Sequence, residues 1–274
     1  MIKKVSDEAK RRYAEYIQDY KNGILASLAR EKTEREAMAR EPATVPARKL
    51  SLAENNLDVV SLYLVMSSLS QTFLGVKNEA FLNDARKSLY KAIIYLEEIV
   101  SAAVDAPFSD YEQGLETISS FSDDSRLALV RKMGFTIDSL KEGYGEGTKW
   151  KWSFVELEGR FAAVAKNLLN LKTFVGGMDP RSEGYSSRMA HLALARELLQ
   201  TAADRYREKY ELSTLRLDDF KVALAFLGAS RRLHIVLGEA EQADVVKKKA
   251  DVWRTKMEAD LKKSEARPRD LGRK

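Results

Sequence analysis

The chain has 274 residues, of which 32% are charged and 45% hydrophobic, and its formal net charge is +5. It contains no cysteine, which excludes disulfide bonds, thiolate metal sites and a cysteine nucleophile. Its two histidines, His191 and His234, do not follow a glutamate by three residues, as a di-iron site in a helical bundle requires. We therefore predict no metal, no cofactor and no enzymatic activity.

The positive charge is concentrated at the two ends of the chain. Residues 1–48 carry 11 basic and 8 acidic side chains, residues 247–274 carry 11 and 5, and the residues between them have a net charge of −4. A basic groove through the whole fold is therefore not indicated. The charged N-terminus is not followed by the apolar run of a signal peptide, so we expect a cytoplasmic protein, with a processed exported form as the alternative.

The first predicted helix is amphipathic and lies in an N-terminal segment, residues 1–48. Its apolar positions recur every three or four residues and include Tyr13, Tyr16 and Tyr20. This stripe predicts either packing on the rest of the chain or docking of a partner, including a second copy of the chain. Residues 30–42 are charged on nearly all faces, so we expect the helix to project into solvent until the prolines at 42 and 46 end it.

The next two helices are predicted over 52–76 and 79–104. Ser51 and Glu54 match a capping box, in which the serine oxygen accepts from the third helical N–H and the glutamate reaches back. Residues 59–76 contain no charged side chain, which reaches the lower length limit for a membrane span. The serines, threonine and glutamine in this run favour a helix buried inside the protein, so we predict no membrane span.

The rest of the chain is predicted to be helical apart from short breaks. Residues 105–121 are irregular except for a short helix near 111–118, and Ser122 is the predicted N-cap of the helix that follows. The glycine-rich segment 143–149 is the place where the helical domain, residues 49–264, would divide. Further predicted elements are helices over 123–140, 152–175, 182–212, 217–237 and 239–264, and a disordered basic tail over 265–274.

No segment of useful length has the alternating pattern of a strand, so we predict an all-α fold. Three helices carry a pair of alanines seven residues apart, which places both alanines on one face and lets a neighbouring helix approach closely. These pairs are Ala85 and Ala92, Ala195 and Ala202, and Ala243 and Ala250. The fold is then either an irregular α-solenoid of helical hairpins or a multi-helix bundle.

The last hairpin, in which Leu227, the Leu237–Gly238 turn, Ala243 and Ala250 follow in order, resembles a tetratricopeptide repeat. The resemblance implies stacked hairpins that bind peptides against their first helices, and it places Arg232 at a groove-facing position. The sequence departs from the family pattern in several ways, one of which is that His234 stands where an aromatic residue is usual. Arg231 stands where a small residue is usual, and the alanine pairs are not separated by a regular period.

Two basic segments are candidates for binding nucleic acid. Lys149, Trp150, Lys151 and Trp152 alternate cations with aromatic rings, which could neutralise phosphates and stack on bases. The alternative is that the tryptophans anchor the start of a helix in the core. The second segment is Lys247, Lys248 and Lys249, which fall on the outer faces of the last helix. The simpler interpretation is that these lysines are solvated.

The sequence thus favours a non-enzymatic helical scaffold that binds a protein or peptide, with Arg232 and the three tyrosines as candidate contact residues. Homo-oligomerisation through the N-terminal helix belongs to the same hypothesis. The alternative is a nucleic-acid-associated helical protein that uses its basic ends and the lysine–tryptophan segment. An enzyme with a carboxylate- or tyrosine-based site is a third hypothesis, for which no residue stands out.

Overall fold

The computed structural model describes residues 5–145, 147, 150–175 and 178–266. The predicted all-α fold is confirmed, because every regular element in these ranges is helical. The α-helices are α1 (Asp7–Arg40), α2 (Val45–Leu74), α3 (Glu79–Val100), α4 (Glu112–Thr117), α5 (Asp123–Tyr144), α6 (Lys151–Asn167), α7 (Tyr185–Lys209), α8 (Leu217–Val236) and α9 (Ala240–Ala266).

Helices that follow each other in sequence are mostly neighbours in space. Helices α1, α2 and α3 pack side by side, as do α6, α7, α8 and α9, and α5 packs against α2, α3, α6 and α7. The buried apolar side chains form two main clusters, one under α2–α5 and one under α7–α9. Helix α6 contributes to both clusters. Helices α5 and α6, which lie on either side of the glycine-rich segment in sequence, both contribute to the first cluster.

The prediction that residues 30–42 project into solvent is wrong. Helix α1 packs along α2 through Ile17 and Ile24, and its last turns lie against α3. Glu31 is buried, accepts a hydrogen bond from the Tyr95 hydroxyl (3.1 Å) and pairs with Lys91. Glu31 is therefore neutralised by a partner on a helix that is distant in sequence, whereas Lys32, Glu36 and Arg40 of the same segment are exposed.

The predicted capping box at Ser51 is also wrong, because α2 begins at Val45. Pro46 lies in the first turn of α2, where a missing backbone N–H costs no helical hydrogen bond. A single 3₁₀ turn, Pro42–Thr44, joins α1 to α2, so residue 48 falls inside a helix. The continuous stretch Pro42–Leu74 is long and apolar enough to cross a membrane by length and composition alone, and a third of its apolar window is buried within the protein.

Other helix limits follow local signals. The Ser122 hydroxyl accepts from the Ser125 N–H at 3.2 Å, which confirms the predicted N-cap of α5. Helix α6 ends at Asn167, eight residues before the predicted end at residue 175, and a 3₁₀ turn, Leu171–Phe174, follows. Helix α9 continues to Ala266, two residues into the predicted tail, and residues 267–274 lie outside the described ranges.

All six paired alanines are buried, on α3, α7 and α9. The close packing that the pairs predict therefore occurs, although helical bundles and repeat arrays both use it. The resemblance to the tetratricopeptide repeat stays a prediction.

His191 is a core residue of α7 and not a partly exposed one. Its side chain is 3% exposed, and its Nε2 lies 2.9 Å from the carbonyl oxygen of Ala165 on α6. Burial lowers the pKa of His191 to about 4, and the nearby Arg126 acts in the same direction, while the Ala165 hydrogen bond and Asp123 oppose it.

Because an unfolded histidine has a pKa near 6.5, the unfolded chain binds the additional proton first as the pH falls. We therefore expect the free energy of unfolding to drop by about 2 kcal/mol more in the wild type than in His191→Gln between about pH 7 and pH 5. Urea denaturation of both proteins across this range measures the difference. Parallel pH profiles of the two proteins would contradict the assigned burial.

Candidate functional site

A basic groove lies between α8 and α9, beside the loop that follows α3. It encloses about 340 Å³. Its apolar side is formed by Leu224, Leu227 and Ile235 of α8 and by Ala250 of α9. Its charged side chains are Asp105, Arg231, Arg232, Lys247, Asp251 and Arg254.

The packing of α8 on α9 determines where these side chains emerge. Phe220, near the start of α8, stacks on Tyr210 (4.8 Å between ring centroids) and lies 6.2 Å from Trp253. It therefore packs between the residue that follows α7 and the middle of α9. Gly238 has a φ of 73° in the turn between α8 and α9, a conformation that glycine adopts without strain. The buried faces of both helices then point inwards, and the arginines at 231 and 232 lie at the open edge.

Two of the four cations in the groove have no carboxylate partner within 4.0 Å in the part of the chain that the structure describes: Arg231 and Lys247. Arg254 pairs with Asp251 at 2.6 Å, three residues away on α9. Asp244 lies near the start of α9. Its pKa is lowered by a hydrogen bond from Lys248 and further by the charges of Lys247 and Arg231. The open edge of the groove therefore favours negative charge.

The fourth cation, Arg232, is held by the loop between α3 and α4. Asp105 accepts two hydrogen bonds from its guanidinium, one from Nε (2.8 Å) and one from Nη2 (3.1 Å). Arg232 thus lines the groove between α8 and α9, and its charge is paired with that of Asp105. Its place in a peptide-binding groove of the tetratricopeptide type stays a prediction.

Two buried side chains at the end of α6 hold this loop. Lys166 donates to the carbonyl oxygen of Ala106 (3.0 Å), and Asn167 donates to those of Ser101 (3.0 Å) and Ala103 (3.2 Å). Lys166 also lies over the ring of Tyr111 at 5.0 Å. Burial lowers the pKa of Lys166 to about 8. Sequence reasoning missed both residues, because nothing distinguishes a buried lysine from a solvated one within a helical pattern.

The three N-terminal tyrosines all lie on the side of α1 that faces α2. Tyr13 and Tyr20 are half-buried against the small apolar cluster between α1 and α2. Tyr16 is 51% exposed and lies 5.9 Å from the ring of Phe73 on α2. Two of the three are therefore occupied within the protein, and dimerisation through α1 stays a prediction.

Both tryptophans of the lysine–tryptophan segment are partly buried and pack against the core. Trp150 packs against the first cluster, 4.6 Å from the guanidinium of Arg86, and Trp152 packs against the second. Lys151 pairs with Glu208 of α7 at 3.4 Å and lies over the Trp152 ring. Lys149 lies outside the described residues. This packing favours the core alternative for both tryptophans.

The lysine run on α9 divides into three different environments. Lys247 borders the groove, and Lys248 pairs with Asp244 on its own helix at 2.9 Å. Lys249 turns inwards, pairs with Asp204 of α7 at 2.8 Å and lies 4.8 Å from the ring of Trp253. The prediction that all three occupy the outer face is wrong for Lys249.

Comparison with known proteins assigns a family. A model of the TP0443 family matches residues 9–261, which run from the first turn of α1 to near the end of α9. The chain belongs to the TP0443 family. No curated protein and no solved structure matches it. In this TP0443 family member, the matched range includes both walls of the groove and the loop that carries Asp105. Within the described residues, no cluster of three or more histidine, aspartate or glutamate side chains could hold a metal ion.

Proposed function

We propose that the protein is a non-enzymatic helical scaffold that binds an acidic segment of a partner protein in the groove between α8 and α9. One observation carries this proposal. Arg231 and Lys247 lie on opposite walls of the groove without carboxylate partners among the described residues, whereas Arg232 and Arg254 beside them are paired. Unpaired cations above an apolar floor suit a segment that combines carboxylates with apolar side chains.

Two features favour a protein segment over a nucleic acid. Trp150 and Trp152, the aromatic rings that would stack on bases, are partly buried and pack against the core. Ile235, which is 52% exposed at the groove, provides an apolar contact that a peptide side chain can cover.

Fluorescence anisotropy with a short labelled peptide that alternates glutamate with leucine tests the proposal. A matched peptide carries glutamine in place of each glutamate, and a labelled single-stranded RNA represents the alternative. We expect the wild type to bind the acidic peptide more tightly than the other two probes, and more weakly as salt is raised from about 50 to about 300 mM. Arg231→Glu/Lys247→Glu should weaken this binding about 30-fold, since each reversal costs about 1 kcal/mol.

The control variant is Lys87→Glu/Lys221→Glu, which changes the net charge by the same amount at two largely exposed lysines outside the groove. It should bind the acidic peptide within about twofold of the wild type. If both double variants lost the same affinity for the acidic peptide, the interaction would depend on the overall charge of the protein and not on the groove. Tighter binding of the RNA than of the peptide would favour the nucleic-acid alternative instead.

A further inference from the structure

We propose that Asp105 is an intramolecular competitor that occupies Arg232 until the acidic group of a partner displaces it. This inference rests on the proposed function of the groove. The two hydrogen bonds from the Arg232 guanidinium to the Asp105 carboxylate reproduce the contact that a partner's glutamate or aspartate would make. Both residues line the groove itself, so the internal ion pair and an external one would use the same space.

The loop that presents Asp105 is held in place from both sides. The carbonyl groups of Ser101 and Ala103 before it, and of Ala106 after it, accept hydrogen bonds from Asn167 and Lys166. Both donors are almost completely buried, so these bonds are shielded from water. Ser101 itself has a φ of 87°, which a residue other than glycine rarely adopts. The protein thus maintains an unfavourable backbone conformation in the loop that carries this carboxylate.

The surface of α8 is shaped to receive the carboxylate. A Cβ atom at Gly228 would lie 3.0 Å from Asp105 Oδ2, so a larger residue there would push Asp105 away. Behind the loop, the ammonium group of Lys166 lies close enough to Asp105 and Arg232 for both to shift its pKa. When a partner's carboxylate takes Arg232, this buried ammonium offsets part of the charge on the released Asp105.

The pair therefore sets an order of events at the groove. A partner's acidic segment first meets Arg231 and Lys247, for which no described carboxylate lies within 4.0 Å. It gains Arg232 only by exchanging one ion pair for another. Asp105 thus lowers the affinity for weakly acidic segments more than for segments with several carboxylates, because only the latter can satisfy all three cations.

The test is Asp105→Asn in the full chain, titrated with the glutamate–leucine peptide used for the wild type. Asparagine keeps the size of the side chain but gives up the charge that competes for Arg232. We expect binding about fivefold tighter than that of the wild type. In Asp105→Asn/Arg232→Gln this gain should disappear. Asp138→Asn raises the net charge by the same amount at a largely exposed aspartate of α5 outside the groove, and it should leave the affinity within about twofold of the wild type. An equal gain in Asp138→Asn would reduce the effect to overall charge and overturn the competitor role.

The outcomes separate this inference from the proposed function. If Asp105→Asn binds the peptide as the wild type does, or more weakly, the competitor role is overturned. The proposed binding of an acidic segment in the groove would still hold. A gain that persists in Asp105→Asn/Arg232→Gln would overturn the competitor role as well. Binding by Asp105→Asn but not by the wild type would support the competitor role and contradict the wild-type binding expected of the groove, and no binding by either protein would overturn both. Far-ultraviolet circular dichroism checks that the variants keep the helical content of the wild type.

Discussion

Replacing Phe220 with alanine should lower the free energy of unfolding by about 4 kcal/mol. The side chain has no exposed surface, and its ring stacks on Tyr210 and lies against Trp253. Its removal leaves a cavity where α7, α8 and α9 meet, in addition to the lost transfer of a large ring from water. Urea denaturation followed by circular dichroism measures the change.

Phe135→Ala is the matched control, because the chemical change is identical and this phenylalanine is 74% exposed on α5. We expect its free energy of unfolding to stay within about 0.5 kcal/mol of the wild type. If Phe220→Ala cost no more than Phe135→Ala, the packing of α8 between α7 and α9 would be wrong, and with it the position of the groove.

Replacing Gly114 with alanine should be the second most damaging change, at about 3 kcal/mol. A Cβ atom at this position would lie 1.9 Å from the carbonyl oxygen of Ile99, near the end of α3. This obstacle is backbone, so no side-chain rotation can relieve it. Helix α4 must then move away from α3, next to the loop that carries Asp105. Thermal and urea unfolding of the variant give the cost.

Gly134→Ala serves as the comparison for this substitution. Gly134 also lies inside a helix, α5, but its added Cβ would meet only the Phe161 ring, at an ordinary contact distance of 3.5 Å. Helix propensity alone should make this variant more stable by about 0.5–1 kcal/mol. Equal effects of the two alanines would contradict the close approach of α4 to α3.

The parts of the fold that depend on local chemistry could be predicted from the sequence. The apolar periodicity identified the long helices, and the Ser122 cap acts within one turn. The start of α2 could not be predicted in this way, because a proline fits both the end of one helix and the first turn of the next. The burial of Glu31 depends on Lys91 and Tyr95, which only the packing of α3 brings near.

The residues of the groove could likewise be predicted only in part from the sequence. Arg232 and Lys247 were selected from the sequence for unrelated reasons, a repeat pattern and a lysine run. That they share one groove follows from the turn at Gly238 and the packing of α9 on α8. Asp105 lies more than a hundred residues earlier in an irregular segment, and its pairing with Arg232 depends on buried donors from α6. No spacing in the sequence carries that information.

We propose that the groove between α8 and α9 binds an acidic protein segment. Hydrogen exchange of the wild type, measured with and without a saturating amount of the glutamate–leucine peptide, tests it most directly. We expect slower exchange in residues 224–235 and 247–254, on the two walls of the groove, and little change in α1. Slower exchange confined to other helices, or none at all under conditions where the peptide binds, would contradict it.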